Sequence, residues 1–402
     1  MLKKLLHLFV RKRHPWREMQ FDELAEIYTS MSLRSLGFGI IGIFVPIFLY
    51  QHGVDIRGIF WFFWWVFLLR IPLALLVAFV VGRIGPKHSI ALSTLLFVVF
   101  LVLLLTFEYI GWPLIALALA FTVSNGLFFT AYHTDFSKVK DSRNGGKEIG
   151  WLYTFERVGS SLGPLAGGVV ASIFAPELTI LVAITILLAS LIPLFLTNEP
   201  VKLHQHIHFN GFPWKRHVWD FVAMSASHVE NSASKFMWPL MVAVLVFTEG
   251  TYAKIGSVIA LATAISLFSA HMFGTFIDTK KGRQLLNYGV VLNAIVHCIR
   301  PFSLSGSAVT VVSTLNEPIT LSYQMPLMKG YYDAADSEEG YRIVYLTIVE
   351  IWGALAKTTY FTLLYLSTYL FTGESVLRWS FIPVAFFSLG ISLQHFSALK
   401  RT

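Results

Sequence analysis

Several ionisable side chains stand among apolar neighbours, where charge is costly. In HVENSASK, residues 228–235, His228, Asn231 and Lys235 recur at three and four residues. That spacing puts them on one helical face. A lysine there can neutralise an anion or pair with a carboxylate from another segment, and a histidine can change charge near neutral pH. Glu230 and Ser232 look to other sides. Glu350 and Lys357 are two turns apart on one stripe, too far for direct contact, so each is expected to have a partner elsewhere. Glu317 precedes Pro318, where a bend would expose the carboxylate. It reads either as a substrate or proton site or as a helix-pairing group. Glu156 and Arg157 are adjacent and diverge by about 100° around a helix. Glu156 reads equally as an ion-pair partner and as a proton relay. Asn125 adds an amide. Arg70, before Ile71-Pro72, is a candidate for a cavity or gate, and Trp61, Trp64 and Trp65 read as interfacial anchors.

Other chemistries find little support. Cys298 is the single cysteine, so no internal disulfide or CxxC site exists. His204, His206 and His208 alternate in HQHIH and read as solvated loop histidines, so no metal site is assigned. No phosphate-binding glycine loop, HExxH or dinucleotide fingerprint occurs. No nucleophile–base arrangement stands out. The expectation is no catalytic residue and no cofactor.

The elements that must hold these groups follow from composition. Of 402 residues, 55% are hydrophobic and 13% charged, against about a quarter charged in a soluble domain. A membrane-spanning helix needs about 20 mostly apolar residues. Twelve such stretches occur, at 31–50, 59–81, 89–107, 112–131, 149–172, 178–197, 218–247, 252–277, 284–303, 307–328, 341–370 and 376–396. The first is not expected to be a cleaved signal peptide. The net charge of +8 is spread over many short loops, which argues against a nucleic-acid surface. Of 31 Lys and Arg, 22 fall in the termini and even loops, four in the odd loops and five inside spans. This is the positive-inside pattern, and it predicts both termini in the cytoplasm. The segments are then 1–30, a cytoplasmic stretch with an amphipathic helix at 15–27; 31–197, six spans; 198–217, a central cytoplasmic loop; 218–396, six spans; and 397–402, a tail.

Two local patterns refine this organisation. Short basic turns follow the second and eighth spans: VVGRIGPKHS with Arg83, Gly85 and Lys87, and FGTFIDTKKGRQ with Gly274, Asp278, Gly282 and Arg283. In GSSLGPLAGG, Gly159, Gly163 and Gly167 share a face, with Pro164 and Gly168 beside it. Small residues at this spacing let helices touch backbone to backbone. A proline in the span tends to bend it.

With these features the chain resembles the major facilitator superfamily over essentially its whole length. The resemblance implies an all-α polytopic membrane protein, a major-facilitator-like fold of about twelve transmembrane helices in two six-helix bundles. Gly274, Asp278, Gly282 and Arg283 resemble the family's loop signature, and the first-half copy departs from it at Ala78 and Gly82. GSSLGPLAGG is similar to the fifth-span signature of drug–proton antiporters, although their fourth-span arginine is missing. The resemblance implies gating and helix packing for Arg83, Gly85, the 159–168 glycines and Pro164, Asp278, Gly282 and Arg283. The expected function is alternating-access transport of a small organic solute, led by proton-coupled efflux of an amphiphilic compound. Proton-coupled uptake, perhaps of an anion met by Lys235 or Lys357, is the alternative. An intramembrane lipid enzyme and a non-transporting receptor are the readings outside transport. The partners are the solute, protons and the bilayer of the cell membrane, and the working unit is a monomer.

Overall fold

The computed structural model describes residues 18–139, 145–174, 176–196, 207–277, 282–338 and 340–400. Long helices follow one another: α1 Glu18–Ile41, α2 Ile56–Ile84, α3 Pro86–Leu105, α4 Leu114–Val139, α5 Gly145–Ile173 and α6 Pro176–Ala189. The second half of the chain supplies α7 Trp214–Ser232, α8 Thr251–Phe276, α9 Gly282–Ile299, α10 Gly306–Ser337, α11 Arg342–Ser367 and α12 Gly373–Trp379. α7 runs through a π-turn, Ala233–Met237, into Trp238–Leu245, and α12 continues as Phe381–Leu389. Among the described residues, seven helical stretches are long and apolar enough to cross a membrane: Tyr28–Gln51, Ile56–Ile84, Pro86–Leu105, Leu114–Phe136, Glu177–Leu194, Gly282–Phe302 and Gly373–Leu393. The helices outside that set include α5, α7, α10 and α11, which carry Glu156, Arg157, Glu230, Lys235, Glu317, Glu350 and Lys357.

Packing is set by where side chains are absent. A Cβ on Gly163 would lie 2.7 Å from the Leu36 carbonyl oxygen and 2.8 Å from Gly39 Cα, and one on Gly159 or Gly167 would strike the Ser32 or Ile40 carbonyl. These three glycines therefore seat α5 backbone-to-backbone on α1. Gly168 turns the other way, with a Cβ position 2.6 Å from the Tyr252 carbonyl oxygen. In α8, Gly256 sits directly against the Pro164 carbonyl. The seam between α5 and α8, which joins the two halves of the chain, thus runs through Pro164, Gly168 and Gly256 rather than through the three-glycine face.

The turn after α2 needs its glycine. Gly85 has φ +84, and its N–H donates to the Val81 carbonyl at 3.0 Å. Pro86 then opens α3 with a preset φ. Arg83 is exposed beside this turn, as is Arg283 after the buried Gly282. Asp278 and the whole 15–27 segment expected to form an interfacial helix lie outside the residues whose side chains are described.

The two halves meet in aromatic contacts at two levels. Away from the chain ends, Phe63 lies 4.8 Å from Phe236 and 5.3 Å from Phe361, ring centre to ring centre, and Phe44 lies 5.0 Å from Tyr252. Trp64 donates to Thr362 Oγ1 at 2.9 Å, and Trp61 stacks toward Tyr365. These tryptophans pack α2 on α11 instead of serving only as anchors in the interface. Nearer the chain ends, Phe136 lies 5.0 Å from Tyr332.

His217, in the segment before the 218–247 span, is buried between Glu338 Oε1 at 2.9 Å and Asp220 Oδ2 at 3.3 Å. Burial opposes its charge, but the two carboxylates outweigh burial and raise its pKa above the ordinary histidine value. A group with a raised folded pKa stabilises fully below its unfolded pKa and stops doing so as pH rises through the folded value. Thermal unfolding in detergent should therefore show a Tm that falls from pH 6 to pH 9, with a shallower fall in His217→Gln. Gly163→Leu should overpack the α1 contact by about 1–3 kcal/mol or more and reduce monodisperse protein on size exclusion.

Candidate functional site

Arg70 sits at the middle of α2. Its Nη2 meets Glu350 Oε2 of α11 at 2.6 Å, and both side chains are nearly buried, 9% and 5% exposed. Gly126 of α4 makes room for the guanidinium, because a Cβ there would come within 3.2 Å of Arg70 Nη1. One turn to the other side of Glu350 on the α11 face, Gly353 admits the His228 ring, which would lie 2.6 Å from a Cβ at that position. His228 Nδ1 then stands 3.4 Å from Lys357 Nζ, and that ammonium caps the Phe67 ring at 4.4 Å. Glu350 and Lys357 are thus partnered from other helices, as their separation requires.

A second pair links the halves. Arg157 of α5 donates from Nη1 to Glu317 Oε2 of α10, with side chains 16% and 23% exposed. The neighbouring Glu156 makes no such pair among the described residues. It acts on Lys235 electrostatically, together with Arg157 and Arg34. Lys235 Nζ rests on the Phe38 ring of α1 at 4.4 Å. Arg34, one turn before Phe38, donates to Thr94 Oγ1 at 2.7 Å and stacks on Phe128 at 3.7 Å. Among the described residues, neither Arg34 nor Lys235 has a carboxylate at ion-pair distance. Both cations therefore rest on aromatic rings, Arg34 with a hydroxyl as well, and neither touches a counter-ion among the described residues.

The expected shared face of His228, Asn231 and Lys235 divides between neighbours. His228 meets α11, Lys235 meets α1, and Asn231 is exposed between them. His228 and Lys235 are two turns, about 10 Å, apart along the axis, so crossing helices can meet them at different heights. Asn125 is buried and donates to the Phe121 carbonyl of its own helix at 2.9 Å. His133 meets the Tyr332 hydroxyl at 2.8 Å. Sequence reasoning missed Gly353, Gly256 and Phe38. Gly353 carried a signal, a small residue on the Glu350–Lys357 stripe. Gly256 carried none.

Among the described residues, no group of three His, Cys, Asp or Glu side chains is placed to hold a metal. A site made of paired charges on facing helices, at the middle of membrane-crossing rods, fits passage of a solute better than bond making. The family model of the Major Facilitator Superfamily matches residues 27–325. The chain belongs to the Major Facilitator Superfamily.

Among solved structures, the fold is similar to the human organic anion transporter MFSD10 (TETRAN), with a TM-score of 0.70 and 12% identity over 94% of this chain and 100% of that one. It is also similar to the Escherichia coli fucose–proton symporter FucP, with a TM-score of 0.62 and 13% identity over 91% of this chain and 97% of that one. No curated protein matches the chain. As a Major Facilitator Superfamily member, the chain is a multi-pass membrane protein with a transporter fold.

Removing one partner of a buried ion pair strands the other charge and costs about 3–5 kcal/mol. Arg70→Met should therefore lower the Tm in detergent clearly. Arg70→Met combined with Glu350→Gln should recover most of the loss, which differential scanning fluorimetry would read.

Proposed function

We propose that this protein takes up a small organic anion together with protons, working as a single chain of twelve spans in two six-helix bundles. The observation that carries this reading is the placement of Arg34 and Lys235: two interior cations on aromatic rings, with no carboxylate in contact among the described residues. An incoming carboxylate supplies the missing charge. Its apolar body finds Phe38 and Phe128 alongside.

Alternating access requires contacts between halves that break and re-form. Arg70–Glu350 and Arg157–Glu317 are such contacts. Glu317 is the more exposed of the two carboxylates. Protonating it cancels its attraction for Arg157 and weakens that link, which couples proton uptake to motion. Arg70 and Glu350, flanked by His228 and Lys357, form the more buried link. Arg83, Gly85, Gly282 and Arg283 shape the turns around which helix pairs move, and Asp278 is assigned to the same turn by its sequence position.

Uptake by symport is supported by the similar fold of a protein described as a proton symporter. The organic-anion substrate class is in keeping with the description of the other similar structure. The feature that had favoured drug–proton antiport, the 159–168 glycine face, is accounted for by close packing on α1 and α8.

The test is uptake of a panel of labelled organic acids, neutral sugars and organic cations into proteoliposomes, with and without an inward proton gradient. Acids should accumulate only with the gradient. Lys235→Gln should raise KM at least about tenfold, the weight of one lost charge-assisted contact. Glu317→Gln should abolish gradient-driven accumulation while sparing counterflow. Gradient-independent uptake, or preference for cations, would overturn the reading.

A further inference from the structure

The π-turn at Ala233–Met237 carries Lys235 in its centre. A π-turn inserts one residue into an α-helix and recurs at functional sites. Here its local cause is readable. Pro239 has no N–H for the Lys235 carbonyl, and its ring crowds that carbonyl. The α-helical register therefore fails at this point, and Trp238 N–H reaches back to the Ala233 carbonyl instead. Proline alone makes the α form poor. It does not decide where the displaced residues settle.

A closed ring of side chains does. Ser234, the residue before Lys235, donates from Oγ to Glu230 Oε1 at 2.7 Å. Arg300 Nη1 donates to Ser234 Oγ at 2.8 Å and to His297 Nδ1 at 3.1 Å. His297 Nε2 closes the ring on Glu230 Oε1 at 3.3 Å. Arginine can only donate, so Nδ1 accepts and the imidazole proton lies on Nε2, directed at the carboxylate. Glu230, His297 and Arg300 are 2%, 0% and 1% exposed. The Arg300 guanidinium is also held between Trp238, 5.0 Å away, and Phe381, 5.4 Å away. Trp238 in turn donates to Ser313 Oγ of α10 at 3.0 Å. The ring therefore ties both ends of the π-turn, Ser234 and Trp238, to α9 and α10.

We propose that this ring is a positioning device: Ser234 and Arg300 hold the π-turn in one place and so fix where the Lys235 ammonium meets the solute. None of the four ring residues touches the solute. They act through the backbone that presents Lys235. A strained turn persists where its surroundings over-determine it, and a buried ring closed by four hydrogen bonds supplies that constraint at one defined geometry. The proposal rests on the reading of Lys235 as an anion contact.

The experiment reads position without any transported solute. In a Cys298→Ser background, Lys235→Cys provides a thiol at the turn and, separately, Asn231→Cys provides one just before it. Labelling rates with the anionic reagent 2-sulfonatoethyl methanethiosulfonate are measured with and without Ser234→Ala, on protein that is monodisperse by size exclusion. The expected result is a change of about five- to tenfold at position 235, the equilibrium weight of one ordinary hydrogen bond. The rate at 231 should stay within about twofold, and Ser234→Thr, which keeps the hydroxyl, should restore the rate at 235. An unchanged rate at 235 overturns the proposal, and so does an equal change at both positions. Failure of the anion reading would show separately, as unaltered acid uptake in Lys235→Gln.

Discussion

Charge inside a lipid-embedded helix bundle has to be answered by other protein groups. Water is not at hand to solvate it, and moving an ion into such surroundings costs several kcal/mol even after relaxation. That constraint organises this molecule. Arg70 is answered by Glu350 and Arg157 by Glu317, and each pair spans the two halves of the chain. The electrostatics that make the interior tolerable are therefore the same contacts that hold the halves together. A motion that parts the halves has to supply each charge with another partner.

Two of the cations that stand apart from this pattern lie on the first span and the seventh. Arg34 and Lys235 are stabilised by aromatic faces and, for Arg34, by a hydroxyl. Cation–π contact is worth roughly 0.5–2 kcal/mol, less than a desolvated ion pair contributes. The shortfall is what an anionic solute would make up. Differential binding of that kind is the means by which a ligand shifts a conformational equilibrium. In the proposed symport, protonation of a carboxylate in an inter-half pair would act on the same equilibrium from the other side.

The second half of the chain contains a contrasting solution. Around Glu230, His297 and Arg300 every charge is answered within that half, through Ser234. Such a closed ring does not need to break when the halves move. In the proposed cycle it would hold a local geometry throughout, while the pairs between the halves exchange. Similarly, the backbone contacts of α5 differ by partner: the Gly159, Gly163 and Gly167 face stays with α1, while Pro164 and Gly168 meet α8 across the seam.

The sequence by itself determined the medium, the helical class and the identity of the charges that must be answered. Apolar length and the distribution of Lys and Arg are one-dimensional properties, and the bilayer reads them in one dimension. The glycine spacing in 159–168 likewise announced close packing, because helical periodicity is local. Only the tertiary structure decided which charge answers which. Glu350 is as close in sequence to Lys357 as to any other cation, yet it pairs with Arg70, 280 positions away. His228 looks along its own helix toward Lys235 and instead meets Lys357, admitted by Gly353. Pairing is set by the crossing of distant helices and by the small residues that permit close approach, and neither leaves a periodic trace along the chain.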